Sequence, residues 1–239
     1  MPTIRSNLSV PLSALQKVHE DEKMNVDEVA GRSETSFRPL CVKCGVFGAQ
    51  DGSGYAEFGN TRVLAQILGP DGDGKWEEDR AKITVSIKGI NDSQIAAIRA
   101  QLTSALSAVI FAHKYPGKVI EIEVTVVSDD GGVLSTALTA ATLALAHSGI
   151  EHLGLTASCH VAIRSDGTFI TDPTISEALT TTGGVTLAFL PNLAQTTCVD
   201  LYGKVPVTAV SGLIEFAKQR TIAIVPTLHK AIVKGVKKT

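Results

Sequence analysis

The sequence predicts a single α/β domain of the two-layer α+β kind, with mixed sheets packed against a central and a C-terminal helix. Three observations carry this. Short β runs punctuated by glycine fill residues 38–89, a helix that is apolar nearly all round follows a glycine turn at 131–132, and a long amphipathic stretch ends the chain. At 239 residues, 44% hydrophobic and 19% charged, the chain has the composition of a folded protein with a sizeable core.

The first strands are CVKCGVFG (41–48), GSGYAEFG (52–59), TRVLAQILG (61–69) and KITVSIKG (82–89). QDGS and GNT between the first three are tight-turn chemistry, because glycine reaches φ > 0 without steric cost. PDGDGKWEED (70–79) reads as a surface loop. A helix is expected over 91–112, where Ile95, Ile98, Leu102, Leu106 and Val109 form one stripe and Asn91 with Gln94 resembles a capping box.

KVIEIEVTVV (118–127) alternates as a half-buried strand should. The helix over 133–148 carries no charge and is expected to lie sandwiched inside the fold. SCHVAI (158–163) and TFITD (168–172) flank the hairpin signal SDG, and GVTLAFLPN (184–192) and AQTTCVDLY (194–202) form another pair. The last helix, 207–233, presents Val210, Ile214, Ala217, Thr221, Ile224, Leu228 and Ile232, with a bend expected before Pro226. Residues 1–34 are more polar, with an acidic run from Glu20, and read as an N-terminal extension to a domain covering 35–239.

Composition excludes some functions. A net charge of −2 supplies no general basic field for nucleic acid, so any RNA contact needs a local patch or partner chains. No stretch has the ~18 uninterrupted apolar residues of a membrane span, and the first residues lack a signal peptide's apolar core. The four cysteines read as reduced thiols of an intracellular protein. Cys41 and Cys44 have CxxC spacing, but on a strand, positions three apart point to opposite faces and do not share a metal. The six histidines form no metal-binding pair, so no metal and no cofactor is expected.

Three segments in this order carry a resemblance: FRPLCVKCGVFGAQDGSGYAEFGNTRVLAQILGP (37–70), DDGGVLSTALTAATLALAHSGIE (129–151) and TDPTISEALTTTGGVTLAFLPNLAQ (171–195). Together they resemble the ribonuclease PH family of phosphate-dependent exoribonucleases and their exosome relatives, over about 38–235. The resemblance implies a ribonuclease PH-like fold, also described as ribosomal protein S5 domain 2-like. It implies chemistry in which inorganic phosphate attacks the terminal RNA linkage, which needs cations and oriented donors to hold one anion beside another.

This sequence departs from the family's pattern at each chemical position. Active members follow the two glycines with Thr-Arg, which grips phosphate; here Val133 and Leu134 follow Gly131 and Gly132. Aspartates expected six and twelve residues beyond Asp172 are Ala178 and Gly184. Asp172 itself remains, in an Asp-Pro-Thr that reads as a turn or cap, and Glu177 neighbours the first lost position. The clustered arginines that active subunits carry before the first helix are reduced to KGIND.

The resemblance therefore implies a chain without catalysis that works inside a ring. Its partners would be other ribonuclease PH-like exosome subunits, S1-type and KH-type cap proteins, and RNA threading the assembled channel, with no membrane. An exosome chain implies nucleus, nucleolus and cytoplasm. Lys75, Arg80, Lys82 and Lys88 are the candidate RNA contacts, because they fall on the long loop and the fourth strand.

Overall fold

The computed structural model describes residues 33–47, 52–72 and 79–236. The extension read at 1–34 therefore lies outside the described residues except for Ser33 and Glu34, and so does the candidate Lys75.

The described residues form nine strands, arranged as two sheets, and four helices. The strands are β1 (Leu40–Cys44), β2 (Gly52–Phe58), β3 (Thr61–Asp71), β4 (Lys82–Lys88), β5 (Val119–Ser128), β6 (Ala157–Arg164), β7 (Phe169–Thr171), β8 (Thr181–Leu190) and β9 (Gln195–Gly203). The helices are α1 (Asp92–Ser107), α2 (Val133–Ser148), α3 (Ile175–Ala178) and α4 (Val207–Val236). The first sheet has the order β1-β2-β3-β5-β4, antiparallel except for the parallel β4–β5 pair, and the second has the order β7-β6-β8-β9, all antiparallel.

The central helix holds the two sheets together. From Val133 to Leu145 every residue of α2 is buried, and it packs against β2 and β3 on one side and β6 and β8 on the other. Glycine on β2 allows the close approach. A Cβ on Gly54 would lie 2.3 Å from the Ala140 carbonyl oxygen, and one on Gly52 would lie 2.3 Å from Ser148 Cβ. The helix opens at Gly132 (φ 70°) and closes at Gly149 (φ 74°), both left-handed positions that suit glycine. Its predicted limits and its sandwiched place agree with the structure.

Two helix readings need correction. α1 ends at Ser107, not near 112; residues Ala112–Lys114 form a separate 3₁₀ turn. Asn91 sits at the N-cap but makes no side-chain capping bond, so the Asn91–Gln94 capping box does not form. β1 also stops at Cys44, because Gly45 takes φ 69° and turns the chain. α4 continues through Pro226 to Val236. Its buried line is Leu213, Ala217, Thr221, Ile224, Leu228 and Ala231, and the sequence stripe was placed one position off at its two ends.

Candidate functional site

Four backbone segments meet where the resemblance puts its chemistry: the entry to β1, the β3 start, the Asp129–Gly132 turn and the segment after β7. Arg38, only 4% exposed, lies at their centre. Its Nε donates to Asp172 Oδ2 at 2.8 Å and its Nη2 to Asp172 Oδ1 at 2.7 Å, a bidentate pair. The same guanidinium donates from Nη1 to the Asp130 carbonyl at 2.7 Å and from Nη2 to the Gly131 carbonyl at 3.0 Å. The Asp130 carboxylate stands a further 3.7 Å from Nη1.

The turn is fixed from the other side by β3. Thr61 Oγ1 donates to the Gly131 carbonyl at 2.7 Å and accepts from the Asp130 amide at 2.9 Å. Asn60 Nδ2 donates to Asp130 Oδ2 at 3.1 Å. Gly131 could carry no side chain here: with φ 92°, its Cβ would fall 2.8 Å from the Pro173 carbonyl oxygen. The glycine turn and the Asp-Pro-Thr segment are thus packed directly on each other.

Asp172 is fully buried and holds φ 49°, a left-handed conformation that aspartate tolerates better than most residues. Its amide donates to the His160 carbonyl at 2.7 Å. The reading of Asp172 as a turn or cap residue is incomplete. The cap belongs to Thr174, whose Oγ1 accepts from the Glu177 amide at 3.1 Å while Glu177 Oε2 accepts from the Thr174 amide at 2.8 Å. Asp172 is the counter-ion of Arg38. The carboxylate of Glu177 is engaged in that box at the N-terminus of α3.

Val133, Leu134, Ala178 and Gly184, the positions at which the resemblance implies a departure, take structural roles. Val133 and Leu134 form the first residues of α2 and are buried in the main core. Ala178 ends α3, half-buried, and its carbonyl accepts from Thr181 Oγ1 at 2.8 Å. Gly184 lies in β8 between Ala162 of β6 and Tyr202 of β9. A Cβ there would sit 2.4 Å from the Val161 carbonyl oxygen and 2.8 Å from the Tyr202 hydroxyl, so a carboxylate has no room.

Tyr202 occupies that side of the sheet together with His160. The two rings stack with centroids 5.5 Å apart, the Tyr202 hydroxyl is 3.3 Å from His160 Nε2, and His160 Nδ1 is 2.9 Å from Thr186 Oγ1. Burial holds the His160 pKa down to about 4; the Asp172 charge opposes that shift and the Arg38 charge adds to it. Neither the Arg38–Asp172 pair nor the His160–Tyr202 stack was foreseen as a unit. The available signal was a charged residue at each of two apolar stretches, FRPL and FITD, needing a partner.

Of the candidate RNA contacts, the three described ones, Arg80, Lys82 and Lys88, do not gather at one point. Arg80 is exposed and 3.6 Å from Asp79, and Lys88 is exposed and 3.8 Å from Glu123. Lys82 and Lys88 stand at opposite ends of β4, about 20 Å apart at ~3.3 Å per residue. Cys41 and Cys44 are half-buried on β1, and burial pushes the Cys44 thiol up to about 12. Among the described residues no group of three or more His, Cys, Asp or Glu side chains is placed to hold a metal ion, and no helix is long and apolar enough to cross a membrane.

The arrangement just described has relatives. Residues 36–151 match the model of the 3' exoribonuclease family, domain 1. The rice (Oryza sativa) Rrp46 crystal structure superposes with a TM-score of 0.76 at 22% identity, covering 86% of this chain and all of that one. The fold is ribonuclease PH-like. Among curated proteins, exosome complex component Rrp41 of Methanopyrus kandleri is 29% identical over 203 residues, 79% of this chain and 84% of that one. Human exosome complex component MTR3 is 27% identical over 194 residues, 69% of this chain and 70% of that one. The expected fold class agrees with these findings, and the ribonuclease PH-like chains it resembles include exosome components.

Proposed function

We propose that this protein is a non-catalytic subunit of an exosome core ring, closest to the mRNA transport regulator three type, also called exosome component six. What carries the reading is the state of the anion site. The helix that follows the glycine turn begins with two buried hydrophobes, Val133 and Leu134, and the guanidinium that reaches the turn is committed to Asp172 and to two backbone carbonyls. A phosphate needs a cation and unengaged donors at this point. The lack of space for a carboxylate at Gly184 and the capping role of Glu177 support the same reading.

In this role the chain helps to close the ring, contacts neighbouring ribonuclease PH-like subunits and S1-type and KH-type cap proteins, and borders an RNA channel. Degradation and processing of RNA are then carried out by other nucleases of the assembly, in nucleus, nucleolus and cytoplasm. Lys75, Arg80, Lys82 and Lys88 remain the candidate RNA contacts in that setting. The ribosomal RNA-processing protein forty-six type is the second ring-subunit reading; the polar segment 1–34 favours the first.

Purified protein incubated with oligo-A RNA, magnesium and phosphate is expected to release no nucleoside diphosphate. Release that disappears in Glu177→Ala would overturn the non-catalytic assignment. Gentle purification of the tagged chain from its own cells, followed by mass spectrometry, is expected to recover other ribonuclease PH-like chains with S1-type and KH-type proteins. Recovery of the chain alone would refute the ring reading.

A further inference from the structure

The first sheet has two faces, and the three long helices all pack on one of them. Gly54 of β2 meets Ala140 of α2, Cys44 of β1 meets Gly235 of α4, and Val85 and Ile87 of β4 share the main core with Leu102 and Leu106 of α1. Neighbouring positions on a strand point to opposite faces. Ser53, Tyr55 and Glu57 of β2 therefore point away from the helices, and so does Leu64 of β3, which is in register with Tyr55. The row continues to Lys43 of β1 at one end and through Thr125 of β5 to Lys88 of β4 at the other, about 20 Å across five strands.

That outer face is buried where an open sheet face would be wet. Tyr55 is 4% exposed, Leu64 6% and Glu57 7%, yet neither Tyr55 nor Leu64 belongs to the main core. The Tyr55 hydroxyl donates to Glu57 Oε2 at 2.7 Å, and Arg62 Nε donates to Glu57 Oε1 at 3.3 Å, so polar groups beside the two hydrophobes satisfy one another. What shields the row belongs to the segments outside the described residues. Residues 48–51 supply no apolar side chain larger than alanine, and 237–239 are Lys-Lys-Thr. Residues 73–78 follow β3 beyond Asp71, seven positions and about 23 Å from Leu64. Residues 1–32 remain, and they carry Leu8, Leu12, Leu15 and Val18 at spacings of four, three and three.

We propose that residues 8–18 of the chain's own N-terminal extension dock across the outer face of the first sheet, with their apolar side chains on Tyr55 and Leu64. Removing that apolar area from water drives the docking. The acidic run from Glu20 then stands beside a face whose charged margin includes Lys43, Arg62 and Lys88, a complementary arrangement. Chain length permits it. The described fold is entered at Ser33, where the Thr171 amide of β7 donates to the Glu34 carbonyl at 2.8 Å. The fifteen positions from Ser33 back to Val18 span about 50 Å when extended, several times the ~10–12 Å thickness of the helix between the two sheets. The inference does not depend on the ring-subunit reading.

The test is cross-linking of the purified full chain with a short amine-reactive reagent, read by mass spectrometry. Light and heavy isotope-labelled copies are mixed first, so that links within a chain are told from links between chains. Lys17 is expected to link to Lys43 or Lys88 of its own chain. The absence of such links overturns the docking. Links to these lysines only between chains overturn it too, because a second copy then covers the face. The variant Leu12→Asp/Leu15→Asp, shown to be folded by circular dichroism, is expected to lower the yield of the Lys17 link about tenfold, since two apolar side chains no longer favour the face. An unchanged yield in the folded variant would mean that the segment passes near the sheet without docking on it, and the proposal fails.

Discussion

The turn at Asp129–Gly132 and the segment from Asp172 to Ala178 press on each other across one ion pair, yet they contribute to the place where they meet in opposite ways. The turn leads into Val133 and Leu134, two hydrophobes that join the core. At the second segment a carboxylate is kept, but it is fully buried and paired with Arg38. An apolar residue at such a place is visible in the sequence residue by residue. Engagement of a carboxylate is visible only in its partner, because an ion pair held in the interior satisfies both charges there.

The comparison can be broken most severely at Asp172. Asp172→Ala leaves the Arg38 guanidinium buried without its counter-ion, and unfolding free energy is expected to fall by about 3–5 kcal/mol in urea titration. The apolar double variant Arg38→Met/Asp172→Leu is expected to recover most of that loss. A single variant of near wild-type stability would mean that the pair is not the clamp between the two segments.

His160 sharpens the comparison through pH. Its folded pKa of about 4 lies below the ~6.5 of an unfolded histidine, so the unfolded chain binds the proton more readily. Stability from this group is full above pH ~6.5 and declines as pH falls towards 4, by about 1–3 kcal/mol for a half-buried ring. His160→Gln is expected to flatten that part of the pH–stability curve, measured by thermal unfolding across pH 4–7. An unchanged slope would remove His160 from the buried network behind Asp172.

The smallest expected effect is at the cap. Thr174→Ala removes one half of the Thr174–Glu177 box and is expected to cost about 1 kcal/mol, read from the urea midpoint. Because α3 has no buried residue and is only four residues long, the loss should stay local and leave the Arg38–Asp172 pair in place. A loss as large as that of Asp172→Ala would show that the capping box and the ion pair act as one unit.

Much of the fold was legible because its signals are local. The uncharged stretch between two glycines gave α2 its limits, and turn glycines separated β2 from β3 and β6 from β7. The errors have local causes too. The stripe of α1 runs on through Val109, which is buried as part of the turn after the helix, so apolar periodicity alone overran its end. Asn91 and Gln94 have the spacing of a capping box without making its bond, since residue types permit a bond that geometry need not supply.

By itself, the sequence determined the α/β class, the order of the strands and of the three long helices, the buried central helix and the absence of a cation after the glycine turn. All of these follow from residue type and from spacing along a few turns of chain. The tertiary structure alone decided that Arg38 and Asp172, 134 positions apart, are partners, that Tyr202 stands over Gly184, and that Tyr55 and Leu64 are buried outside the main core. The physical reason is range. Periodicity records which face of an element is buried, whereas a buried charge or a covered outer face is defined by what another, distant segment brings to it.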